Sequence, residues 1–359
     1  MDDNRTAPLA GLGWDSIDWV ALDRLRQRFL SGPASGGTYW QSAGDLASYD
    51  FTYGERIGWK WDQVLRELKL RGGRPRARDV VDWGCGSGIA ARRVIESFGA
   101  ENFDSLTVWD HSALACDYAA DAAQRSFPRL RVAQATPGFL AGNEPIGLLT
   151  ISHVLNELTP EALTALRALV ARASAVLWVE PGTHDISRQL GRIRDELRAT
   201  FRIVAPCTHK NDCPMFEPDR ERDWCHFFAP PPGEIFADPN WVKFGQRAGI
   251  DLRSLPYCFV ALDQSPDPST PPPPPPSATR PFVAAAEIAL QPFLSRVIGR
   301  VESFKPYARL LNCDTLGLAD LELPKRADPA LFKELERTKA PLVYRWRREA
   351  NKILGGERL

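Results

Sequence analysis

Val80-Val-Asp-Trp-Gly-Cys-Gly-Ser-Gly88 is the stretch that decides the fold of this chain. It begins as a short apolar strand that ends in Asp82, and it continues into glycines at alternate positions, Gly84, Gly86 and Gly88. A helical pattern follows directly. Glycine lets the backbone approach a ligand closely, and the first turn of a helix carries N–H groups without an intrahelical partner. The stretch therefore predicts a loop that binds a nucleoside.

The spacing of the acid and the glycines is D-x-G-x-G-x-G, which differs from the G-x-G-x-x-G of the dinucleotide folds. It resembles motif I of the class I S-adenosylmethionine methyltransferases. A second apolar strand at 106–110 ends in Asp110, 22 residues beyond Gly88. An acid at about this distance binds a ribose hydroxyl in nucleotide folds. We expect Asp82 to order the methionine end of S-adenosylmethionine and Asp110 to bind its ribose. The alternative for Asp110 is an ordinary helix cap.

Composition sets the class of the protein. The 359 residues suffice for one α/β core and a smaller unit. A formal net charge of zero gives no overall attraction to nucleic acid or to membranes. No apolar run approaches the roughly 20 residues of a membrane span, and the first residues lack the pattern of a signal peptide. We therefore expect a cytoplasmic protein with thiols or metal ligands, not disulfides, among its seven cysteines.

Helices and strands follow in an order typical of a doubly wound sheet. Residues 14–72 have helical periodicity. Strands are predicted at 79–83, 106–110, 130–134, 147–152, 175–179 and 256–262. This alternation predicts a Rossmann-like α/β fold with a parallel sheet, a helical N-terminal cap, a Cys-rich insertion and a small C-terminal unit.

Four regions follow from these patterns. The helical N-terminal region covers 1–75, and the methyltransferase-like domain covers 76–264 and contains the Cys-rich insertion at 203–230. A Pro-rich linker covers 265–280, where six consecutive prolines favour an extended chain. A basic C-terminal unit covers 281–359.

Three cysteines lie close together in the sequence. Cys207, Cys213 and Cys225 have the spacing C-x5-C-x11-C, in a segment with little apolar periodicity. Such a segment cannot bury much apolar surface, and a bound metal would order it. Thiolates favour zinc or an iron–sulfur cluster. A fourth ligand is missing from the group, and the sequence offers Cys258, Cys313, His209 or His226. The alternative is a set of thiols that bind no metal.

Several motifs in order resemble one known family. Besides the glycine loop, they are Ser152-His-Val-Leu-Asn-Glu-Leu158, Val179-Glu-Pro-Gly-Thr183, Pro206-Cys-Thr-His209, Cys213-Pro214 and Asp223-Trp-Cys-His-Phe227. Together they resemble the methyltransferase-like small ribosomal subunit assembly family shared by bacteria and mitochondria. The resemblance covers roughly residues 40–264, and more loosely 296–346.

The resemblance implies a class I methyltransferase fold that acts on the small ribosomal subunit or its rRNA. It further implies a [4Fe–4S] cluster held by Cys207, Cys213 and Cys225, with Cys313 as the fourth ligand. The C-terminal unit would then be joined to the core through the cluster. Several members of the family look like assembly factors without catalytic activity, so the resemblance does not decide whether methyl transfer takes place.

Candidate catalytic residues follow the fourth strand, where Rossmann-type methyltransferases place their reactive groups. His153, Asn156 and Glu157 stand there and are suited to orient a nucleophile or to act as a base. The alternative is that Asn156 and Glu157 cap and brace the next helix.

Basic and aromatic residues alternate in the C-terminal unit. The basic ones are Arg296, Arg300, Lys305, Arg309, Arg345, Arg347, Arg348 and Lys352, and the aromatic ones are Phe304, Tyr307, Tyr344 and Trp346. Phosphate pairing and base stacking would make such a surface bind RNA. The alternative is an amphipathic helix with a solvated basic face.

Three functions remain open at this point. The first is an S-adenosylmethionine-binding, iron–sulfur protein of the small ribosomal subunit. The second is a methyltransferase for another substrate with a structural zinc. The third is an RNA-binding assembly factor without catalysis. The oligomeric state is left open.

Overall fold

The structure, a computed structural model, describes residues 13–31, 39–264, 294–338 and 343–359. The predicted linker at 265–280 lies outside the described residues. The chain divides into two compact units. The first comprises Met1–Asp62, Pro75–Leu177 and Pro231–Leu255, and the second comprises Gln63–Arg74, Trp178–Pro230 and Pro256–Leu359.

The N-terminal region is helical, as predicted. Its helices are α1 (Trp19–Ser31), α2 (Ala43–Tyr49) and α3 (Glu55–Leu70), with a π-helical segment at Asp50–Gly54 before α3. The Ser42 hydroxyl accepts a hydrogen bond from the Asp45 N–H at 3.1 Å, which fixes the start of α2. No helix among the described residues is both long and apolar enough to cross a membrane.

A large sheet forms the core of the α/β fold. Its strands are β1 (Asp79–Trp83), β2 (Ser105–Trp109), β3 (Arg131–Gln134), β4 (Ile146–Ser152), β5 (Ala173–Pro181), β6 (Phe201–Ala205), β7 (Phe227–Ala229) and β8 (Leu255–Gln264). The order is β3-β2-β1-β4-β5-β8-β6, with β7 paired to β8. All six predicted strands are present.

The direction of the strands corrects one expectation. Strand β1 pairs in parallel with β2 and with β4, and β2 pairs in parallel with β3, but β8 runs antiparallel to β6. The prediction of a wholly parallel sheet is therefore wrong at this edge. Class I S-adenosylmethionine methyltransferases have a mostly parallel sheet whose last strand is antiparallel and lies between the fifth and the sixth strand. Strand β8 has this position here. The fold is of this class.

The helices of this α/β region are α4 (Ile89–Phe98), α5 (Ala113–Ser126), α6 (Pro137–Ala141), α7 (Pro160–Arg172), α8 (His184–Leu197) and α9 (Pro239–Ala248). The predicted Cys-rich insertion at 203–230 is not an independent insertion with those bounds. Its first residues belong to β6 and its last residues include β7, because both ends form regular pairs with the sheet. Only the irregular stretch between them, 206–226, connects these strands.

The C-terminal residues form a separate small barrel. Its strands are β9 (Leu294–Ser303), β10 (Tyr307–Asp314), β11 (Gly317–Pro324), β12 (Val343–Glu349) and β13 (Lys352–Arg358), and helix α10 (Pro329–Arg337) lies between β11 and β12 in the chain. The barrel closes in the order β10-β11-β13-β12-β9. Its core includes Leu310, Leu321, Phe332 and Tyr344.

Candidate functional site

The glycine loop joins β1 to α4 in the first unit and is held by backbone hydrogen bonds. The N–H groups of Gly84 and Cys85 both donate to the Trp109 carbonyl, at 2.7 and 2.9 Å. The Gly86 N–H donates to the Asp110 Oδ2 at 3.0 Å. The ends of the first two strands are thereby tied together, and contact of Gly86 and Asp110 with a cofactor stays a prediction.

The three glycines meet different surroundings. All have positive φ, which favours glycine. A Cβ at Gly84 would lie 2.7 Å from a methyl group of Val154, and a Cβ at Gly88 would lie 2.9 Å from the Cβ of Ala119. A Cβ at Gly86 would meet no atom within 4 Å. Gly84 and Gly88 therefore allow close packing, whereas Gly86 borders open space.

A cavity of about 370 Å³ lies beside this loop, within the first unit. Its size falls in the range of small-molecule pockets, roughly 300–1,000 Å³. The wall combines the loop and the strand ends with aromatic rings, and its residues include Phe29, Tyr39, Trp40, Tyr49, Trp83, Gly84, Gly86, Trp109, Asp110, His111, His153 and Glu157. Such a wall suits an adenosyl group, with flat surfaces for a base and acceptors for hydroxyl groups.

Asp82 lies near the end of β1, directly before the glycine loop. It is fully buried, its Oδ1 accepts a hydrogen bond from the Thr150 hydroxyl at 2.9 Å, and it is not one of the residues that line the cavity. Burial raises the pKa of this carboxyl to about 7. Asp82 contacts Thr150 of the neighbouring strand and does not line the cavity. Its direct contact with the methionine end of a cofactor therefore stays a prediction.

Asp110 stands at the cavity wall and organises its neighbours. Its Oδ2 accepts from Gly86, and its Oδ1 accepts from the Ser112 N–H at 3.0 Å. The His111 Nδ1 lies 3.1 Å from the Asp110 Oδ1, and this hydrogen bond raises the pKa of His111. A carboxylate has about four acceptor positions, so Asp110 retains capacity for a ribose hydroxyl.

Glu157 is the second acid of the cavity wall. Burial, followed by the nearby Asp110 charge, raises the pKa of Glu157 to about 7, although the Tyr39 hydroxyl donates a hydrogen bond to it. Burial and Glu157 together raise the pKa of Tyr39 to about 12. At neutral pH the Glu157 carboxyl is therefore divided between its acid and its carboxylate form, which suits a proton-transfer group.

His153 follows the fourth strand in an unusual backbone conformation. Its φ is 57°, in the left-handed region that few residues other than glycine adopt. The Nε2 atom lies 3.0 Å from the Lys60 ammonium, which can only donate, so Nδ1 keeps the ring proton, 3.3 Å from the Ser152 hydroxyl. Burial and then Lys60 hold the pKa of His153 well below its usual range. A neutral imidazole thus reaches the cavity wall.

Asn156 differs from the other two candidates. Its side chain is exposed and does not line the cavity. The alternative expectation, that Asn156 and Glu157 cap the next helix, is wrong. Thr159 is the N-cap of α7, and its side chain accepts from the Ala162 N–H at 3.3 Å.

The Cys-rich stretch of the second unit is held by two arginines of α8. Arg194 donates to the carbonyls of His209 and Asn211, at 2.9 and 2.6 Å. Arg188 donates to three further carbonyls of the stretch, those of Met215, Arg220 and Asp223. A metal is therefore not the single source of order in this stretch, because charge-assisted hydrogen bonds also hold its backbone.

The barrel brings Cys313 to the other cysteines. Cys213, Cys225 and Cys313 belong to one small apolar cluster with Met215 and Ile298. The Cys313 Sγ lies 3.3 Å from the His209 Nε2. Burial raises the pKa of the thiols of Cys213, Cys225 and Cys313, and the nearby Cys207 adds to the effect in each case. The four predicted ligands are therefore neighbours.

The arrangement of these thiols does not confirm a metal centre. In the described part of the chain, no three or more His, Cys, Asp or Glu side chains are placed to hold a metal ion. The donor set nevertheless fits a soft metal, since four thiols are neighbours, with Cys313 buried and the other three half-buried. Arg194 supplies a nearby positive charge, which pairs with Asp195 at 2.5 Å. His226 instead lies on Trp224, with the ring centroids 4.5 Å apart.

Part of the predicted RNA surface is buried. Tyr344 and Trp346 lie in the core of the barrel, with exposed fractions of 0 and 6%, and cannot stack on bases. Arg296 is also buried, where it forms two hydrogen bonds with Glu67 and lies 4.4 Å from the centroid of the Phe227 ring. The alternative of an amphipathic helix is also wrong, because these residues lie on strands β9 and β12.

Several residues of the cavity wall were missed in the sequence. Tyr39 and Trp40 belong to the helical N-terminal region, and no local pattern connects them to the glycine loop. His111 could have been found, since it follows Asp110 directly.

One family model matches the chain. Residues 61–230 match the model of the family described as "Mitochondrial small ribosomal subunit Rsm22". The matched range is just under half of the chain, and it contains the glycine loop and three of the four cysteines. No curated protein matches the sequence.

Similar solved structures are methyltransferases. The magnesium protoporphyrin IX methyltransferase of Synechocystis PCC 6803 with bound SAH is 14% identical, with a TM-score of 0.37 over 70% of this chain and 97% of that chain. The 16S rRNA methylase RmtB is 13% identical, with a TM-score of 0.35 over 69% and 76%. A SAM-dependent methyltransferase from Aquifex aeolicus is 15% identical, with a TM-score of 0.36 over 47% and 93%. Because these TM-scores are low, the fold assignment rests on the strand order of the sheet. In sequence, residues 61–230 are similar to the Rsm22 family.

Proposed function

We propose that this protein binds S-adenosylmethionine in the cavity of the first unit and acts on the small ribosomal subunit or its rRNA. The observation that carries the cofactor assignment is the open space at Gly86, tied by a hydrogen bond to Asp110 at the cavity wall. The similarity of residues 61–230 to the small-subunit family supports the site of action. A cytoplasmic location stays a prediction of the sequence.

The residues present fit this cofactor. The aromatic wall would hold the adenine, and Asp110 would accept from the ribose. S-adenosylmethionine supplies a methyl group that a nucleophile can attack. Glu157 has a pKa of about 7, so it can hold or accept a proton at the cavity wall. The pKa of His153 is held well below its usual range and its Nε2 faces the Lys60 ammonium, which makes it a poor proton acceptor. If transfer takes place, we assign proton acceptance to Glu157.

We further propose that Cys207, Cys213, Cys225 and Cys313 hold a [4Fe–4S] cluster. A single zinc ion requires all four sulfur atoms at about 2.3 Å from one point. A cluster binds each cysteine to its own iron and so accepts more widely spaced thiols. The resemblance of the cysteine motifs to the small ribosomal subunit assembly family is what favours the cluster over the alternative of zinc.

The pH dependence of binding provides a test of the cavity charge. Glu157 is neutral below its pKa of about 7 and negative above it. A positively charged sulfonium favours the negative form, so we expect the affinity for S-adenosylmethionine to rise up to about tenfold from pH 6 to pH 8. S-adenosylhomocysteine, which lacks the charge, should show a flatter profile in calorimetry.

Glu157→Gln is the matched variant, since it keeps the shape of the side chain without its titration. The variant should remove most of the pH dependence for S-adenosylmethionine. Parallel profiles for the two ligands in the wild-type protein would contradict the assignment of Glu157 to the cavity charge.

The proposed function is tested with purified small ribosomal subunits. We expect the full-length protein to cosediment with these subunits, and a labelled methyl group from S-adenosylmethionine to enter their rRNA if the protein is an enzyme. Cosedimentation without methyl transfer would assign the protein to assembly without catalysis. Failure to cosediment, together with methyl transfer to another class of molecule, would contradict the proposed site of action.

A further inference from the structure

The connectivity of the C-terminal barrel is informative. Strands β11 and β13 pair in parallel, whereas the other four neighbouring pairs are antiparallel. Helix α10 connects the third strand to the fourth. This is the arrangement of the five-stranded Greek-key barrels whose second and third strands and adjoining loops bind oligonucleotides or oligosaccharides. A fold does not assign a ligand, so the assignment depends on side chains.

A pair of aromatic rings, of which Phe304 is exposed and Tyr307 half-buried, lies where β9 turns into β10. The rings of Phe304 and Tyr307 are stacked, with centroids 4.8 Å apart and an angle of 26° between the planes. Phe304 is 42% exposed, and neither ring belongs to the core cluster of the barrel. Packing within the barrel therefore does not explain the pair, whereas an exposed flat surface is what an unpaired base requires.

Basic residues lie next to these rings in the chain and in the turn after β11. The Lys325 N–H donates to the Pro306 carbonyl at 2.9 Å, which brings the turn after β11 to the loop after β9. Lys305, Lys325 and Arg326 are all exposed there. The local charge is therefore positive.

Arg309 adds a fourth basic group at this place. Its guanidinium lies 5.8 Å from the centroids of both the Phe304 and the Tyr307 ring. The nearby acids are Glu322, 3.3 Å from Arg309, and the exposed Glu302. Four exposed basic residues thus belong to this turn and its neighbour, and an exposed ion pair such as that of Arg309 costs little to exchange for a phosphate.

We propose that this place binds single-stranded RNA, with bases stacked on the ring pair and phosphates on the basic side chains. We name it the barrel tip and define it as Phe304, Lys305, Tyr307, Arg309, Lys325 and Arg326. The proposal deepens the proposed function, since it names a surface that would contact rRNA, but it does not require S-adenosylmethionine. The positive charge favours a nucleic acid over an uncharged oligosaccharide.

The test measures binding of a fluorescent oligo(U) of about 12 nucleotides to the full-length protein by anisotropy. The double variant Phe304→Ala/Tyr307→Ala should bind about tenfold more weakly or worse, because each base stack contributes strongly to such affinities. Leu316→Ala is the control, since Leu316 is 70% exposed in the turn between β10 and β11. Its affinity should equal that of the wild type.

Two further measurements separate stacking from charge. Lys305→Glu/Arg326→Glu should weaken binding and flatten its dependence on salt. A duplex of the same length should bind more weakly than the single strand. Wild-type affinity in the ring variant, or equal binding of duplex and single strand, would overturn the proposal.

Calorimetry with S-adenosylmethionine keeps the two proposals apart. We expect the ring variant to bind S-adenosylmethionine like the wild type, which also shows that the variant is folded. If the wild type binds the oligonucleotide through the rings but does not bind S-adenosylmethionine, the barrel tip stands and the proposed cofactor falls.

Discussion

Gly86→Val is expected to abolish S-adenosylmethionine binding, with an affinity at least about 100-fold lower than that of the wild type. A Cβ added at Gly86, which lines the cavity, would meet no protein atom within 4 Å, so we expect the valine side chain to take the space of the ligand. The measurement is calorimetry with the full-length protein. Binding of S-adenosylmethionine at wild-type affinity would show that the ligand does not approach this glycine.

The control has to match the strain of the backbone. Gly249 ends α9 with a φ of 61°, close to the 51° of Gly86, and its Cβ would also meet no atom within 4 Å. Gly249→Val should therefore lose similar stability but keep S-adenosylmethionine binding. Alanine at each position gives a milder pair in case valine prevents folding. A similar loss of binding at both sites would mean that strain, not the ligand's space, is responsible.

The sheet could be predicted because its strands are buried and apolar. The predicted strand at 79–83 has the bounds of β1, and the others differ by a few residues at most. Strand β6, with the sequence Phe-Arg-Ile-Val-Ala, was missed. It lies directly before the cysteines, and its last three residues were included in the predicted Cys-rich insertion. Local periodicity also cannot give the direction of β8, which is set by its partner in the sheet.

The barrel was harder to recognise. In β12 the buried Tyr344 and Trp346 alternate with the exposed Arg345 and Arg347. A period of two predicts a strand with one buried face, whereas the chemistry of the residues suggests stacking on RNA. Burial decides between these two interpretations, and the exposed aromatic ring of this region, Phe304, lies in the turn after β9.

For the cavity, the sequence yields the loop and the acids but not the opposite wall. Gly86 and Asp110 follow strands that pair in the sheet, so their proximity can be predicted from strand order. Tyr39 reaches the cavity, and Lys60 reaches His153, through tertiary packing that no local pattern encodes. The role of Lys60 in keeping His153 neutral is likewise visible only as a distance.

Cys313→Ser is expected to remove the proposed cluster. The protein purified without oxygen should lose its iron and its visible absorption, because a serine hydroxyl is a poor ligand for iron compared with a thiolate. Metal binding contributes to folding, so the thermal midpoint should fall by about 5–10 °C. The hydrogen bonds from Arg188 and Arg194 remain and should keep the Cys-rich stretch from unfolding completely.

Cys258→Ser is the matched control. Cys258 is as buried as Cys313, but it lies in the sheet strand β8. Its thiol donates a hydrogen bond to the Pro181 carbonyl at 3.5 Å, and a serine hydroxyl can form the same bond. Its iron content and absorption should equal those of the wild type. A Cys313→Ser protein with full iron and absorption would move the fourth ligand to Cys258 or His209, while wild-type protein that holds zinc and no iron would replace the cluster by a single-ion site. Cys313 lies in β10 of the barrel, whereas the other three cysteines lie in the Cys-rich stretch. Loss of iron in Cys313→Ser but not in Cys258→Ser would therefore show that the cluster links β10 to that stretch.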